Sequence, residues 1–449
     1  MRAVVCETPV RRHQAWYARE AHGLSLENAS RFRPPVSRTM SENLTGTFRS
    51  LRGFNYRTWA TGAIVSNVGT WMQRTAQDWL VLTSLTHNNA TAVGVVVSLQ
   101  FGPQVLLLPL TGFAADHFDL RKVLFATQAA MGALALGLGV LTISGAVQLW
   151  QVYVFAFLHG CAAAFDSPAR HAFVSEMVVE VDLANAVALN SASFNVARMI
   201  GPAVAGLLLA SVGSGWVFLI NAASFVAVLF SLGRLKVDEL HRRNRAQASR
   251  SGLTEGFRYV WRRPDLRTIL LMFFVVGTFG MNFPIFISTM SVSVFHAGAR
   301  HFGALSSMMA IGSVSGALLS ARRARPRVAF LVTAAASFGG AVALAAMMPH
   351  YAAFGLTLVL VGISAQTFST TATSIVQLST DAVMRGRVMA ILLAIALGCT
   401  PLGAPIVGWT ADTFGPRWAL AVGASAGFVA ALIGVLYLGK YRDAASTSR

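Results

Sequence analysis

Charged side chains are rare inside the long apolar stretches of this chain, and those that occur are spaced to interact. Arg74 and Asp78 stand at i and i+4, so on a helix they share one face and can neutralise each other. Asp166 and Arg170 repeat that spacing around Pro168, and Arg198 precedes Gly201-Pro202 by less than one turn. A charge at mid-bilayer costs about 3 kcal/mol on insertion scales, so each of these residues needs a partner or a use. Asp78 could carry a proton, or it could be an interfacial acid held by Arg74. Asp166 could cap or gate a helix end with Arg170, or take part in transport. Arg198 could meet an anionic group on a substrate, pair with Asp78, or serve structure alone. Catalytic chemistry has no comparable footing. Cys6, Cys161 and Cys399 are scattered, no histidine or cysteine grouping has ligand spacing, and Gly132-Ala-Leu-Ala-Leu-Gly137 lacks the Lys-Ser/Thr of a phosphate loop. No enzyme activity, cofactor or metal is expected.

The elements that must position these residues are membrane helices. The chain has 449 residues, 55% hydrophobic and only 12% charged, with mean hydropathy +0.58. An ordinary soluble domain carries about a quarter charged residues, which excludes that class. Twelve apolar runs, at 59–82, 92–115, 123–144, 149–165, 184–209, 216–232, 268–292, 304–319, 328–347, 352–371, 387–408 and 418–438, predict an all-α polytopic membrane protein. The net charge of +18 does not indicate nucleic-acid binding, because the arginines collect in alternate breaks between runs. That alternation predicts that both termini face the cytoplasm.

Five segments follow: an irregular, arginine-rich cytoplasmic extension at 1–49, a six-helix half at 50–234, a basic cytoplasmic loop at 235–265, a second half at 266–440 and a tail at 441–449. Met40 offers an alternative start, and 256–261 is amphipathic enough to lie along the membrane surface. The halves echo one another: Gly206 precedes Trp216, and Gly408 precedes Trp418, by the same interval. Two pseudo-symmetric halves are the arrangement of a transporter that rocks around a central site. The loop from Gly112 through Asp116 to Arg121 and Lys122 interrupts two long runs. It reads either as a latch, whose carboxylate meets a neighbouring helix end, or as a solvated turn with basic topology anchors.

That loop resembles the one between helices 2 and 3 of the major facilitator superfamily. Within the superfamily the chain is similar to the transmembrane secretion effector group. The similarity rests on Phe48 to Arg57, Gly69-Thr-Trp-Met-Gln73, Trp79-Leu-Val-Leu-Thr83, Pro168-Ala-Arg170 and the block from Leu183 to Gly206, and covers about 48–440. It implies the major facilitator fold, with Gly112, Asp116, Arg121 and Lys122 as a conformational latch. Gly201, Pro202 and Gly206 resemble the glycine–proline motif of the superfamily's antiporters, which implies export. This chain departs from the loop pattern at His117 and Asp119, and Ser320 stands where the second-half loop has an acid.

The expected function is secondary active transport by alternating access, an exporter of a small amphipathic organic molecule (a drug, siderophore or related metabolite) coupled to protons. Arg74, Asp78, Asp166 and Arg198 are the candidates for proton or substrate contact. Substrate, protons and membrane lipid are the expected partners of a monomer. An uncoupled facilitator or importer is the alternative, and a non-transporting sensor or assembly factor a further one.

Overall fold

The computed structural model describes residues 46, 48–241, 252–321, 327–381 and 383–447, and every regular element among them is helical. The readings placed on 1–45 (Met40 included), on the arginines at 242–250, on Arg322, Arg323 and Arg325, and on the side chains of Asp116 and Arg442 lie outside the described residues. Fifteen α-helices follow in order: α1 Phe54–Trp79, α2 Ala90–Leu106, α3 Leu108–His117, α4 Leu120–Ile143, α5 Leu149–Met177, α6 Glu180–Ser211, α7 Ser214–Gly233, α8 Gly252–Arg262, α9 Pro264–Val275, α10 Phe283–Thr289, α11 Ala299–Ala321, α12 Val328–Met347, α13 Tyr351–Ser379, α14 Arg385–Phe414 and α15 Pro416–Thr447.

Nine helical stretches among the described residues are long and apolar enough to cross a bilayer: α4, α6, α7, α9 through α10 to Val294, α11, α12, α13, α14 and α15. Three runs of the sequence reading fall outside that set for physical reasons. The polar residues of α1 and α5 lower their hydropathy although both helices are long. The run at 92–115 is cut at Leu107, where Pro109 opens α3 with a residue that has no N–H to donate. Wide turns at Leu80–Leu85, Val276–Gly280 and Met290–Val294 lengthen or divide the helices they join.

Helix starts follow local chemistry. Asn89 caps α2 by accepting from the Ala92 N–H at 2.8 Å, Asp119 caps α4 through the N–H groups of Arg121 and Lys122, and Gln148 with Gln151 forms a reciprocal box at α5. The amphipathic α8 is tied to the second half by Glu255–Arg387 and Tyr259–Asp381, with Phe257 and Trp261 exposed.

Packing sorts the helices into two groups. In the first, α1 lies on α6 and α7, α4 on α5 and α7, and α2 on α5. In the second, α13 lies on α11 and α12, and α15 on α9, α12 and α14. The groups meet where α2 crosses α14 and α6 crosses α11. Both crossings depend on missing side chains. A Cβ on Gly206 would fall 2.7 Å from the Gly303 Cα and 2.9 Å from the Ala299 oxygen, and one on Gly408 would fall 2.5 Å from the Ala90 oxygen. Close backbone approach of this kind drives helix association where apolar burial gains nothing against lipid. The glycines of the internal echo are therefore contact points between the two groups. Gly303→Leu is expected to force α6 and α11 apart and to lower stability by about 1–3 kcal/mol, read by thermal unfolding of the purified protein.

Candidate functional site

Helix α1 is the hub of the first helix group, because its polar residues bond to a different neighbour at almost every turn. The Ser66 hydroxyl meets Gln128 of α4 at 3.3 Å, and Asn67 accepts from Arg170 of α5 at 2.6 Å. Higher up, Gln73 accepts from Asn221 of α7 at 2.5 Å, and Gln77 accepts from Gln100 of α2 at 3.2 Å. Ser66, Asn67, Gln73 and Gln77 are all buried, so these bonds replace water that the interior excludes.

Asp166 and Arg170 form a closed network. Arg170 donates to Asp166 Oδ2 from Nε at 3.1 Å and Nη2 at 2.7 Å, and Asp166 Oδ1 accepts from Thr127 at 3.0 Å and Gln128 at 2.6 Å. Every strong acceptor direction of the carboxylate is used, and the pair fastens α5 to α4 and, through Asn67, to α1. Such a pair is costly to break, since removing one partner strands the other charge.

A different arrangement surrounds Arg74. Its guanidinium lies over the rings of Trp71 at 5.1 Å and Phe101 at 4.7 Å, while Arg198 of α6 covers the same indole at 5.6 Å. Trp71 is held edge-on to Phe194, with centroids 5.7 Å apart. Gly201 makes room for it, since a Cβ there would sit 2.5 Å from the Trp71 Cβ. Two cations thus share one indole, each attracted to the ring quadrupole. Asp78 is buried one turn away, but no ion pair joins it to Arg74 or Arg198. Arg74 Nε and Asp78 Oδ1 are both buried without a hydrogen-bond partner. Further along α1, Trp79 stacks on Phe302 of α11 at 5.4 Å, so the site lies next to a contact between the two helix groups.

At the 112–122 turn, Gly112 is exposed and Asp116 belongs to the last turn of α3. Arg121 reaches the end of α7, donating from Nε to the Leu232 oxygen at 3.0 Å and from Nη2 to the Gly233 oxygen at 3.4 Å. It ties this turn to its own half by bonding carbonyls that the helix end leaves free. Lys122 is exposed.

The opposite end of the bundle carries a junction between the two helix groups that the sequence reading did not single out. Asp412, at the end of α14, accepts from the backbone N–H of Ala90 at 2.7 Å and of Thr91 at 2.8 Å, and from the Thr91 hydroxyl at 2.5 Å. Nearby, the Ser98 hydroxyl donates to the Pro401 oxygen at 2.7 Å. Trp71, Phe101, Gln128 and Asn221 were also missed, because neutral polar and aromatic residues inside an apolar run give no local sign of which helix they face.

These features can be set beside known proteins. A family model described as transmembrane secretion effector matches residues 45–448. The chain belongs to that family, within the major facilitator superfamily. The chain is 27% identical to the staphyloferrin A transporter of Staphylococcus aureus over 78% of its own length and 87% of that protein. It is 26% identical to the multidrug efflux pump Tap of Mycolicibacterium fortuitum over 84% and 92%, and 28% identical to the enterobactin exporter EntS of Salmonella choleraesuis over 79% and 84%. Among solved structures it superposes on a bacterial spinster homologue in an inward-facing, occupied conformation with a TM-score of 0.66 at 14% identity, over 90% of this chain and 98% of that one. A D-xylose–proton symporter gives 0.68 at 11%, over 84% and 96%. The secretion effector chain is therefore a multi-pass membrane transporter of the major facilitator class, not an enzyme. For this transporter, Asp166→Ala is expected to cost about 3–5 kcal/mol of stability by stranding Arg170, visible as a lowered unfolding temperature in detergent.

Proposed function

We propose that this protein is a proton-coupled exporter that crosses the bacterial inner membrane twelve times, as two six-helix halves with both termini in the cytoplasm. The nine apolar stretches are joined in this reading by α1, by α2 with α3, and by α5, which brings each half to six. Alternation of basic breaks along the chain supports the orientation. On that orientation the end bearing Asp412 and the 86–89 loop faces outward, and the turn at 112–122 faces the cytoplasm.

The observation that carries the reading is the site on α1 and α6: two guanidiniums over Trp71, beside a buried carboxylate with an unsatisfied oxygen, lying beneath the junction of the halves. Uncompensated charge inside a membrane protein is expensive and is retained where ions or substrates pass. Asp78 is the proton carrier in this scheme. Trp71, Phe101 and Phe194 offer flat apolar surface to an amphipathic molecule, and Arg74 and Arg198 meet its polar groups. Small-residue crossings and a few hydrogen bonds hold the halves together, contacts weak enough to be exchanged as they rock. Arg121 and Lys122, with Gly112 and Asp116, form the cytoplasmic latch, and Gly201-Pro202 keeps α6 close to α1.

Similarity to the multidrug efflux pump Tap and to the enterobactin exporter EntS supports outward movement of a small organic molecule. The test is transport by proteoliposomes under an imposed pH gradient, with a panel spanning siderophores and cationic drugs. Asp78→Asn is expected to retain less than about a tenth of the gradient-driven rate, and Arg198→Ala to raise KM with less effect on kcat. Full gradient-driven transport by Asp78→Asn would remove this residue from the coupling.

A further inference from the structure

One sequence pattern occurs twice, at opposite ends of the bundle. Gly112-Phe-Ala-Ala-Asp116-His-Phe-Asp-Leu-Arg121 closes α3 and opens α4, and Gly408-Trp-Thr-Ala-Asp412-Thr-Phe-Gly-Pro-Arg417 closes α14 and opens α15. Glycine, alanine, aspartate, phenylalanine and arginine recur in register, with an aromatic residue after the glycine in both copies. Two long apolar helices could be joined by many kinds of turn, so shared spacing invites comparison of what each residue touches.

The arginines occupy the same kind of place. Arg121 donates to the Leu232 and Gly233 oxygens at the end of α7. Arg417 donates from Nη1 to the Ala346 oxygen at 3.3 Å and from Nη2 to the Met348 oxygen at 3.2 Å, at the end of α12. Each arginine caps the C-terminal carbonyls of a helix in its own half, where a cation is favoured. The turn itself differs: Asp119 caps α4 in the first copy, whereas in the second Gly415 has φ +101° and Pro416 opens α15.

The aspartate of the second copy reaches across to the other helix group. Asp412 leaves its own half and takes two backbone N–H groups and a hydroxyl at the start of α2. A carboxylate at a helix N-terminus completes donors that have no intrahelical partner and meets the positive end of the helix dipole. The glycine of the same pattern, Gly408, lets α14 lie against Ala90 and Thr91 so that the carboxylate can reach them. In the second copy the labour is divided: Arg417 fixes the turn to its own half, Gly408 permits close approach, and Asp412 spans the gap.

We propose that Asp412 is the lock of the end that carries the 86–89 loop, and that it is the counterpart of the Gly112–Arg121 turn, the two being engaged in opposite conformations of the protein. The lock stands on the contacts seen in this structure, while the reciprocity rests on the alternating-access reading above. Opening that end must break the Asp412 bonds, and a carboxylate released there is exposed to water, which makes the exchange reversible.

The test uses the full-length protein in lipid nanodiscs, with Cys6, Cys161 and Cys399 replaced by serine and spin labels at His87→Cys and Trp418→Cys. Distances are measured by pulsed electron resonance without substrate or pH gradient, so the outcome does not depend on what the protein exports or on its coupling to protons. Asp412→Asn is expected to shift the distribution toward the longer distance by about tenfold in the open-to-closed ratio, the scale of one charge-assisted hydrogen bond. Thr91→Val, which removes one of the three bonds and leaves the carboxylate in place, should shift it the same way by less. Asp116→Asn should shift it the opposite way. Unchanged distances in both Asp412→Asn and Thr91→Val would overturn the lock. A shift in those two with none, or one of the same sign, in Asp116→Asn would overturn the reciprocity and leave the lock.

Discussion

Polar and charged groups in this bundle have almost no water to turn to, so their bonds must run from helix to helix. That constraint is met chiefly by α1. Ser66, Asn67, Gln73 and Gln77 connect it in turn to α4, α5, α7 and α2. In lipid, apolar side chains gain little by leaving one apolar surroundings for another, and these bonds together with close backbone contact supply direction to the packing. A helix threaded with amides would be a poor membrane span alone. It becomes a satisfactory one because each amide is buried against a specific partner.

The same constraint separates two kinds of buried charge. Asp166 is saturated by Arg170, Thr127 and Gln128, and is a fastening. Arg74 Nε and Asp78 Oδ1 are not saturated, and Arg74 and Arg198 lean on an indole instead of on a carboxylate. A satisfied pair resists change, whereas a site with open hydrogen-bonding capacity can accept a proton or a polar ligand.

Contacts between the halves are of a third sort. Gly206 against Gly303 and Gly408 against Ala90 are meetings of small residues, to which the Trp79–Phe302 stack adds one aromatic contact and the Asp412 carboxylate one polar contact. Interfaces built this way can separate without leaving large cavities, because little shape is lost when small residues part. The internal echo thus has a mechanical meaning, since its two glycines both stand where the halves cross.

Much was legible in the sequence. Length, hydropathy and the alternation of arginines determine a polytopic helical membrane protein, because a bilayer demands long apolar helices and leaves few other choices. The i, i+4 spacing of Asp166 and Arg170 was enough to anticipate their pairing, a local contact on one helix face. For Arg74 and Asp78 the same spacing puts the two charges on one helix without a direct ion pair, because the Arg74 guanidinium lies over the rings of Trp71 on its own helix and Phe101 on α2. Asp412 lay in plain view, with a turn pattern like that of Asp116. Its role depended on which helix would arrive beside it from some three hundred residues earlier in the chain. Spacing along one helix is written in the sequence; which helix faces which is set only when the bundle closes.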